Sequence, residues 1–306
     1  MTKKNLYNDY SSYIKKKFPV KMQKISIDAG FTCPNRDGWK AVGACHYCNN
    51  RTFSPSYTNL AVSIVEQVRN GIDFFARKYK DMRYLAYFQS YTNTYAKVSD
   101  LRKIYDEALS VDKVEGLVIS TRPDCLPEEV VAMLSDYATR CYVSVEVGVE
   151  SHLDKTLSAI NRGHSFADAE RALKRLENRG VEVCVHAILG LPNEGVNDWI
   201  EQARTFSDLP IDTLKLHQLQ IHKGTHFAKM YAKNPSIFQM LSLEEYIDIC
   251  IQYLEHLSPH IVIQRFTSQA PSDMLIAPKW GVKNFEFTDK LVKELHKRNS
   301  YQGRLC

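Results

Sequence analysis

The chain has 306 residues, 44% hydrophobic, 25% charged and 11% aromatic, with a net charge of +5. That usage excludes disordered, fibrous and membrane-embedded chains, and the length suits one barrel-sized domain or two smaller ones. The first residues, MTKKNLYNDYSSYIKKKFPVK, are basic but lack the apolar run of a signal peptide, and no later stretch is long enough to span a bilayer. A cytoplasmic protein is therefore expected, and clustered cysteines in that compartment imply metal or redox chemistry rather than disulfides.

Residues 1–20 read as a basic N-terminal extension. From there, short apolar runs alternate with longer segments of helical period. Strands are predicted over Lys24–Gly30, Arg83–Gln89, Val114–Ser120, Cys141–Gly148, Val181–Leu189 and Thr213–Ile221, each rich in Val, Ile or Tyr and short enough to be buried. Helices are predicted over Leu60–Tyr79, Ser99–Ser110, Glu128–Thr139, Ser165–Arg179, Val196–Leu209 and Leu241–Leu257. Pro127 is placed to begin the third helix and Gly180 to end the fourth. Six strand–helix alternations imply a parallel sheet with right-handed crossovers, closed or partly closed as a barrel over residues 21–260. Residues 261–306 read as a C-terminal extension packing on or near it. Both extensions carry lysines and aromatics (Tyr7, Tyr10 and Tyr13; Trp280, Phe285 and Phe287), which fit either solvated termini or a face for phosphates and bases.

Ligands of such folds sit on the loops at the carboxyl ends of the strands. The loop after the first strand contains Cys33, Cys45 and Cys48, spaced C-x11-C-x2-C, with Pro34, Gly38 and Gly43 making it pliable. The C-x2-C pair can bind one metal centre from a single turn. Structural zinc requires a fourth ligand, for which His46 is poorly placed. A [4Fe–4S] cluster with three thiolates and one open iron requires only three. Iron–sulfur, zinc and coincidence all remain open on the spacing alone.

The cysteine triad at the end of the first strand, Tyr47 just before the last cysteine and the six-fold β/α pattern resemble the radical S-adenosylmethionine (SAM) superfamily. Most members carry C-x3-C-x2-C. The wider gap is similar to the radical-SAM half of the Elongator catalytic subunit and to small stand-alone bacterial radical-SAM proteins. The segments DAGFTCPNRDG, YFQSYTNTYA and STRPDCLP look like signatures of the latter. The resemblance runs from about Lys21 to Leu257 and implies a partial (β/α)6 TIM-like barrel.

It also implies two cofactors, a [4Fe–4S] cluster held by Cys33, Cys45 and Cys48, and SAM chelated to the open iron. One electron from the cluster then cleaves SAM, usually to a 5′-deoxyadenosyl radical, while the protein places the cofactor and excludes quenching. Tyr47, Gln89, Ser120, Glu150, Arg162 and His186 are the SAM-contact candidates. Gln89 stands where a glycine-rich turn is usual, and Ser120 where the Elongator-like family often has glutamate. Glu150 and Arg162 match positions that contact the sugar and carboxylate of SAM. Two acids at one strand end, Glu146 and Glu150, require hydroxyls, an ammonium or Arg162 to compensate them if buried. In HAILGLPNEG, Gly190, Leu191 and Pro192 look like an edge along adenine. Alternation along KLHQLQIHKGT points His217, Leu219 and Ile221 to one face and Gln218, Gln220 and His222 to the other.

The Elongator-like resemblance implies chemistry at C5 of the tRNA wobble uridine, with tRNA as partner and a flavodoxin or ferredoxin as reductant. The acetyltransferase half of the Elongator subunit is not in this sequence, so acetyl-CoA chemistry does not carry over. RGHS and GLP also resemble the oxygen-independent coproporphyrinogen oxidase group, which leaves a small-molecule or polypeptide substrate as the alternative. A non-catalytic zinc-stabilised binding module is the third reading.

Overall fold

The computed structural model describes residues 6–52, 54–55, 57–58, 60–76 and 81–306. Seven parallel strands form one sheet in the order β1-β2-β3-β4-β5-β6-β8. They are β1 (Lys21–Ile27), β2 (Met82–Phe88), β3 (Val114–Thr121), β4 (Tyr142–Glu150), β5 (Glu182–Leu189), β6 (Thr213–Gln218) and β8 (Val262–Arg265). A two-stranded antiparallel pair, β7 (Ile221–His222) with β9 (Leu275–Ala277), lies apart from it.

Strands that are neighbours in the parallel sheet are joined through helices, as parallel pairing requires. α1 (Tyr10–Lys17) precedes β1. α2 (Ile64–Ala76), α3 (Val98–Leu109) and α4 (Glu128–Ala138) follow the first three strands. α5 (Asp154–Ala159) and α6 (Phe166–Leu176) follow β4, and α7 (Val196–Ser207) follows β5. α8 (His226–Lys233) and α9 (Leu243–Glu255) lie between β6 and β8, and α10 (Asn284–Lys297) follows β9. The six expected strands and helices are present with shifted ends. The predicted Leu60–Tyr79 helix begins only at Ile64, and residues 77–80 lie outside the described ones. α6 stops at Leu176, because Asn178 and Gly180 both take left-handed backbone (φ 59° and 74°). Residues from 261 onward supply the seventh strand and α10.

The strands alternate with period two, and the two faces differ in chemistry. Val143, Val145, Val147 and Val149 of β4 face the helices, as do Val183, Val185, Ala187 and Leu189 of β5, all in one continuous apolar core. Between them stand Ser144, Glu146 and Gly148 on β4, and Glu182, Cys184 and His186 on β5. The inner face is polar, and the sheet curls around it. Lys24 of β1 reaches Glu146 of β4 at 2.8 Å and Gln264 of β8 at 3.0 Å, so the two edge strands approach each other across the interior.

The termini are built into the fold. Asp9 bridges to Ile263 of β8, Lys17 pairs with Glu182, and Arg298 and Arg304 pair with Asp248 and Glu255. Tyr7 packs on Phe266, and Trp280 stacks near Phe287, which is fully buried. The aromatics expected as a base-stacking face are therefore core and edge packing, apart from the exposed Phe285. Lys3 and Lys4 lie outside the described residues.

Candidate functional site

The cysteine loop leaves β1 and is fastened to the turn between α5 and α6. The Asn161 side chain donates to the Ala44 carbonyl at 2.8 Å, and His46 N donates to the Ile160 carbonyl at 2.9 Å. Asn35, completely buried, donates to the Asn161 and Arg162 carbonyls (2.6 and 2.8 Å) and lies 3.4 Å from Cys45 Sγ. His46 turns away from the thiols: its Nδ1 bonds the Ala159 carbonyl and its ring stacks on His226. CPNRDGWKAVGACHYC and NRGHS are thus one structural unit.

That unit closes the carboxyl end of the barrel over a cleft of about 180 Å³. All nine residues expected at the site line it: Cys33, Cys45 and Cys48, and Tyr47, Gln89, Ser120, Glu150, Arg162 and His186. Burial and the neighbouring Cys45 thiol push the Cys48 thiol up to about 11, against the pull of Arg36, with Cys33 adding to the rise. A cationic centre bound by the three thiols would reverse that rise at Cys48.

Zinc fits the same set poorly. Tetrahedral zinc at a Zn–S distance of ~2.3 Å holds its ligand atoms roughly 3.8 Å apart. Among the described residues only Glu146, Cys184 and His186 bring three donor atoms within 4.8 Å of one another. Glu146 there already bonds two ammonium groups.

Arg162 and Glu150 stand beside the thiols. Arg162 Nη1 lies 3.4 Å from Cys45 Sγ, its Nη2 donates to the Gly148 carbonyl at 2.6 Å, and Glu150 Oε1 is 3.5 Å away. Burial raises the Glu150 carboxyl, while the Arg162 guanidinium and the Tyr47 hydroxyl pull it back down. A register slip between Gly148 and Glu150 ends β4, and Glu150 takes φ 70° there. Ala44 (φ 67°) and Tyr91 (φ 63°) on the same cleft are also left-handed. Non-glycine residues in that region are strained, and such strain persists where surrounding structure enforces it. Several buried polar atoms of lining residues have no hydrogen-bond partner among the described residues: Thr92 Oγ1, Asn50 Nδ2, Arg122 Nη1 and Arg162 Nε. Together with the Glu150 carboxylate and the Arg162 guanidinium, these groups on residues lining a cleft next to three thiols fit a small zwitterionic ligand such as SAM.

At the inner wall Glu146, fully buried, accepts from Tyr87 (2.7 Å), Lys215 (2.5 Å), His186 (3.1 Å) and Ser120 (3.3 Å) on Oε2, and from Lys24 (2.8 Å) on Oε1. The two acids expected to need compensation are served differently, Glu146 by two ammoniums and Glu150 by Arg162. His186 and Ser120 line the cleft while bonded to this network. Burial pushes the His186 ring down to about 4, so it is neutral, with its proton on the nitrogen facing the carboxylate.

Arg122 and Asp124 form a bidentate pair (2.9 and 3.0 Å) that locks the loop after β3. The expected alternation past Gln218 does not hold, because β6 ends there. His217, Gln218, Leu219, Gln220 and His222 all line the cleft, and both glutamines bond Ser268. Lys24, Asn35, Lys215 and Arg265 were not anticipated as site residues. Lys24 and Lys215 could have been found as lysines at inward positions of otherwise apolar strands. Arg265 lies on a strand that the hydrophobic pattern did not reveal.

The model of the Radical SAM superfamily matches residues 32–206, and that of the Radical_SAM C-terminal domain matches residues 211–297. The chain belongs to the radical SAM superfamily. Its members use a [4Fe–4S] cluster and SAM and need a reductant. The chain is 35% identical over 298 residues to the protein YtqA of Bacillus subtilis (strain 168), covering 97% of this chain and 92% of that one. A tRNA uridine(34) acetyltransferase of Methanocaldococcus infernus is 28% identical over 188 residues, covering 60% of this chain but only 33% of that protein. The structure of the archaeal M. infernus Elp3 with an N-terminal deletion superimposes with a TM-score of 0.69 at 16% identity, over 92% of this chain and 64% of that one. That likeness shows the shared fold. Among the described residues, no helix is long and apolar enough to cross a membrane.

Proposed function

We propose that Cys33, Cys45 and Cys48 hold the [4Fe–4S] cluster, that SAM lies between it and the inner wall, and that the enzyme modifies a tRNA nucleoside, at C5 of the wobble uridine. The observation that carries the proposal is the convergence of three thiols, the Arg162–Glu150 pair and unpartnered polar atoms on one cleft. When bound, the cluster supplies the single electron that cleaves SAM and begins radical chemistry on the substrate. Arg162 and Glu150 orient the polar groups of SAM, Tyr47 holds Glu150, and Gln89, Ser120 and His186 present hydrogen-bonding atoms along the opposite side. Asn35 fixes the loop so that Cys45 keeps its place against Arg162. Gly190, Leu191 and Pro192 do not line the cleft, and Ile188 and Leu219 provide the apolar edge for adenine instead. A flavodoxin or ferredoxin is the proposed reductant.

Two observations support RNA as the substrate. The relative that shares 60% of this chain is named for chemistry on tRNA uridine 34. On the cysteine loop, Arg36 lies over Tyr91 at 5.2 Å and Lys40 over Trp39 at 4.7 Å, with Trp39 60% exposed and 5.9 Å from Tyr95. Exposed aromatic faces paired with cations suit unstacked bases and their phosphates.

The test begins with anaerobic reconstitution and an electron paramagnetic resonance spectrum of the reduced protein with and without SAM. A [4Fe–4S]⁺ signal that changes on SAM addition is expected. Nucleosides of tRNA from cells with and without the gene are then compared by mass spectrometry. Identical profiles would set RNA aside and leave a small molecule or polypeptide as substrate, whereas a zinc-loaded protein that accepts no cluster would defeat the radical reading itself.

A further inference from the structure

The inner wall of the cleft carries more positive charge than its own acids neutralise. Arg265 and Glu146 line it, while Lys24 and Lys215 reach Glu146 from outside the cleft. Glu146 is already engaged by Lys24 at 2.8 Å and by Lys215 at 2.5 Å. Among the described residues Arg265 has no carboxylate within ion-pair distance. Its Nη2 lies 3.1 Å from His217 Nε2, which acts as acceptor, and its Nε is buried without a partner. His217 in turn packs 5.3 Å from the neutral His186 ring. An arginine held in a cleft by one neutral imidazole keeps most of its hydrogen-bonding capacity for something else.

It is set apart from the guanidiniums beside the thiols, although it acts on His186, one of the proposed SAM contacts. The guanidiniums beside the thiols are Arg36 and Arg162. Arg265 instead acts on Tyr87, His186, Lys215 and His217, at the end of β8. Gln218, Gln220 and Ser268 continue this wall and bond one another. The cleft therefore has two cationic poles, one at the cysteine loop and one at the inner wall.

We propose that Arg265 binds an anionic group of the substrate, a phosphate or a carboxylate, and so draws the substrate against the inner wall opposite the thiols. Gln218 and Gln220 flank that subsite. The proposal rests on the cleft being the substrate cavity of the preceding section, and it does not depend on the substrate being RNA. A phosphate would belong to a nucleotide, and a carboxylate to an acid side chain or small acid.

Inorganic phosphate and acetate are titrated separately, by calorimetry, into the anaerobically reconstituted wild-type protein, Arg265→Gln and Arg265→Lys, each with and without SAM. Saturable binding of one anion is expected. Its affinity should be about tenfold or more weaker in Arg265→Gln and partly retained in Arg265→Lys, as for a lost charge-assisted hydrogen bond. SAM should not displace it, and the SAM-induced spectral change should persist in both variants. Preference for phosphate or for acetate identifies the source. Absence of saturable binding in the wild type, equal binding by Arg265→Gln, or displacement of the anion by SAM overturns the proposal. Arg265→Lys guards against a folding defect. Because the titration reads anion binding directly, it succeeds or fails independently of the nucleoside comparison.

Discussion

Arg162 ties Cys45 to the end of β4: Nη1 lies 3.4 Å from Cys45 Sγ while Nη2 donates to the Gly148 carbonyl at 2.6 Å. One guanidinium thus sets the distance between the cysteine loop and the Glu150 carboxyl. Arg162→Gln keeps some polarity but cannot span both contacts, and it leaves Glu150 buried without its cation. Removal of one partner from a buried ion pair costs about 3–5 kcal/mol. Urea unfolding should register a loss of that size. The SAM-induced change in the cluster spectrum should also weaken, whereas an unaltered spectral response would remove Arg162 from the SAM site.

Only three of the eight cysteines should matter for iron. Cys33→Ala, Cys45→Ala and Cys48→Ala are each expected to bring iron and sulfide per chain to background after reconstitution. Cys125 and Cys184 are buried, and burial pushes both thiols up to about 12, as expected of inert core residues. Cys125→Ala and Cys184→Ala should retain full iron content. Iron loss in either of the latter would mean that the ligand set has been assigned wrongly.

Gly148 offers a test of geometry with little change in chemistry. A Cβ there would fall 2.6 Å from Arg162 Nη2 and 2.7 Å from Glu150 Oε1, so both side chains must move. Overpacking of this kind costs about 1–3 kcal/mol, which a domain of this size can survive. Gly148→Ala should fold and take up iron but bind SAM at least several-fold more weakly. Normal SAM affinity would show that the Arg162–Glu150 pair does not position the cofactor.

Much of the barrel was legible because each strand is a short apolar run whose outer face is buried under a helix, as in Val143, Val145 and Val147. β8 was not. Its four residues, VIQR, are shorter than a hydrophobic pattern can resolve, and they are strand only because β6 and residues 8–9 pair with them. The thiols and their candidate neighbours were readable from spacing and family resemblance, since they follow strands at fixed places. The inner wall was less so. Lys24 and Lys215 lie on strands far apart in the sequence, and only curling of the sheet brings both to Glu146. The aromatic termini misled for the opposite reason: Tyr7 and Trp280 carry no local sign of the partners, Phe266 and Phe287, that cover them.

The network at Glu146 makes stability depend on pH in two directions. Burial disfavours the Glu146 anion, but the Lys215 and Lys24 ammoniums and the His186 bond outweigh it and hold the carboxyl well below its ordinary range. That stabilisation is present above the unfolded-state value and is lost as pH falls through the depressed folded one. Lys215 works oppositely. Burial pushes its ammonium down to about 7 against the pull of Glu146, with Lys24 and Arg265 adding to the push. Between about 7 and the ordinary lysine value of ~10.4 the unfolded chain binds the extra proton, so this group favours the folded state increasingly as pH rises. Urea unfolding of wild type and Lys215→Met at pH 6 and pH 9 should therefore show the wild type gaining relative to the variant at the higher pH. An equal difference at both would show that Lys215 titrates in the folded protein as an ordinary surface lysine does.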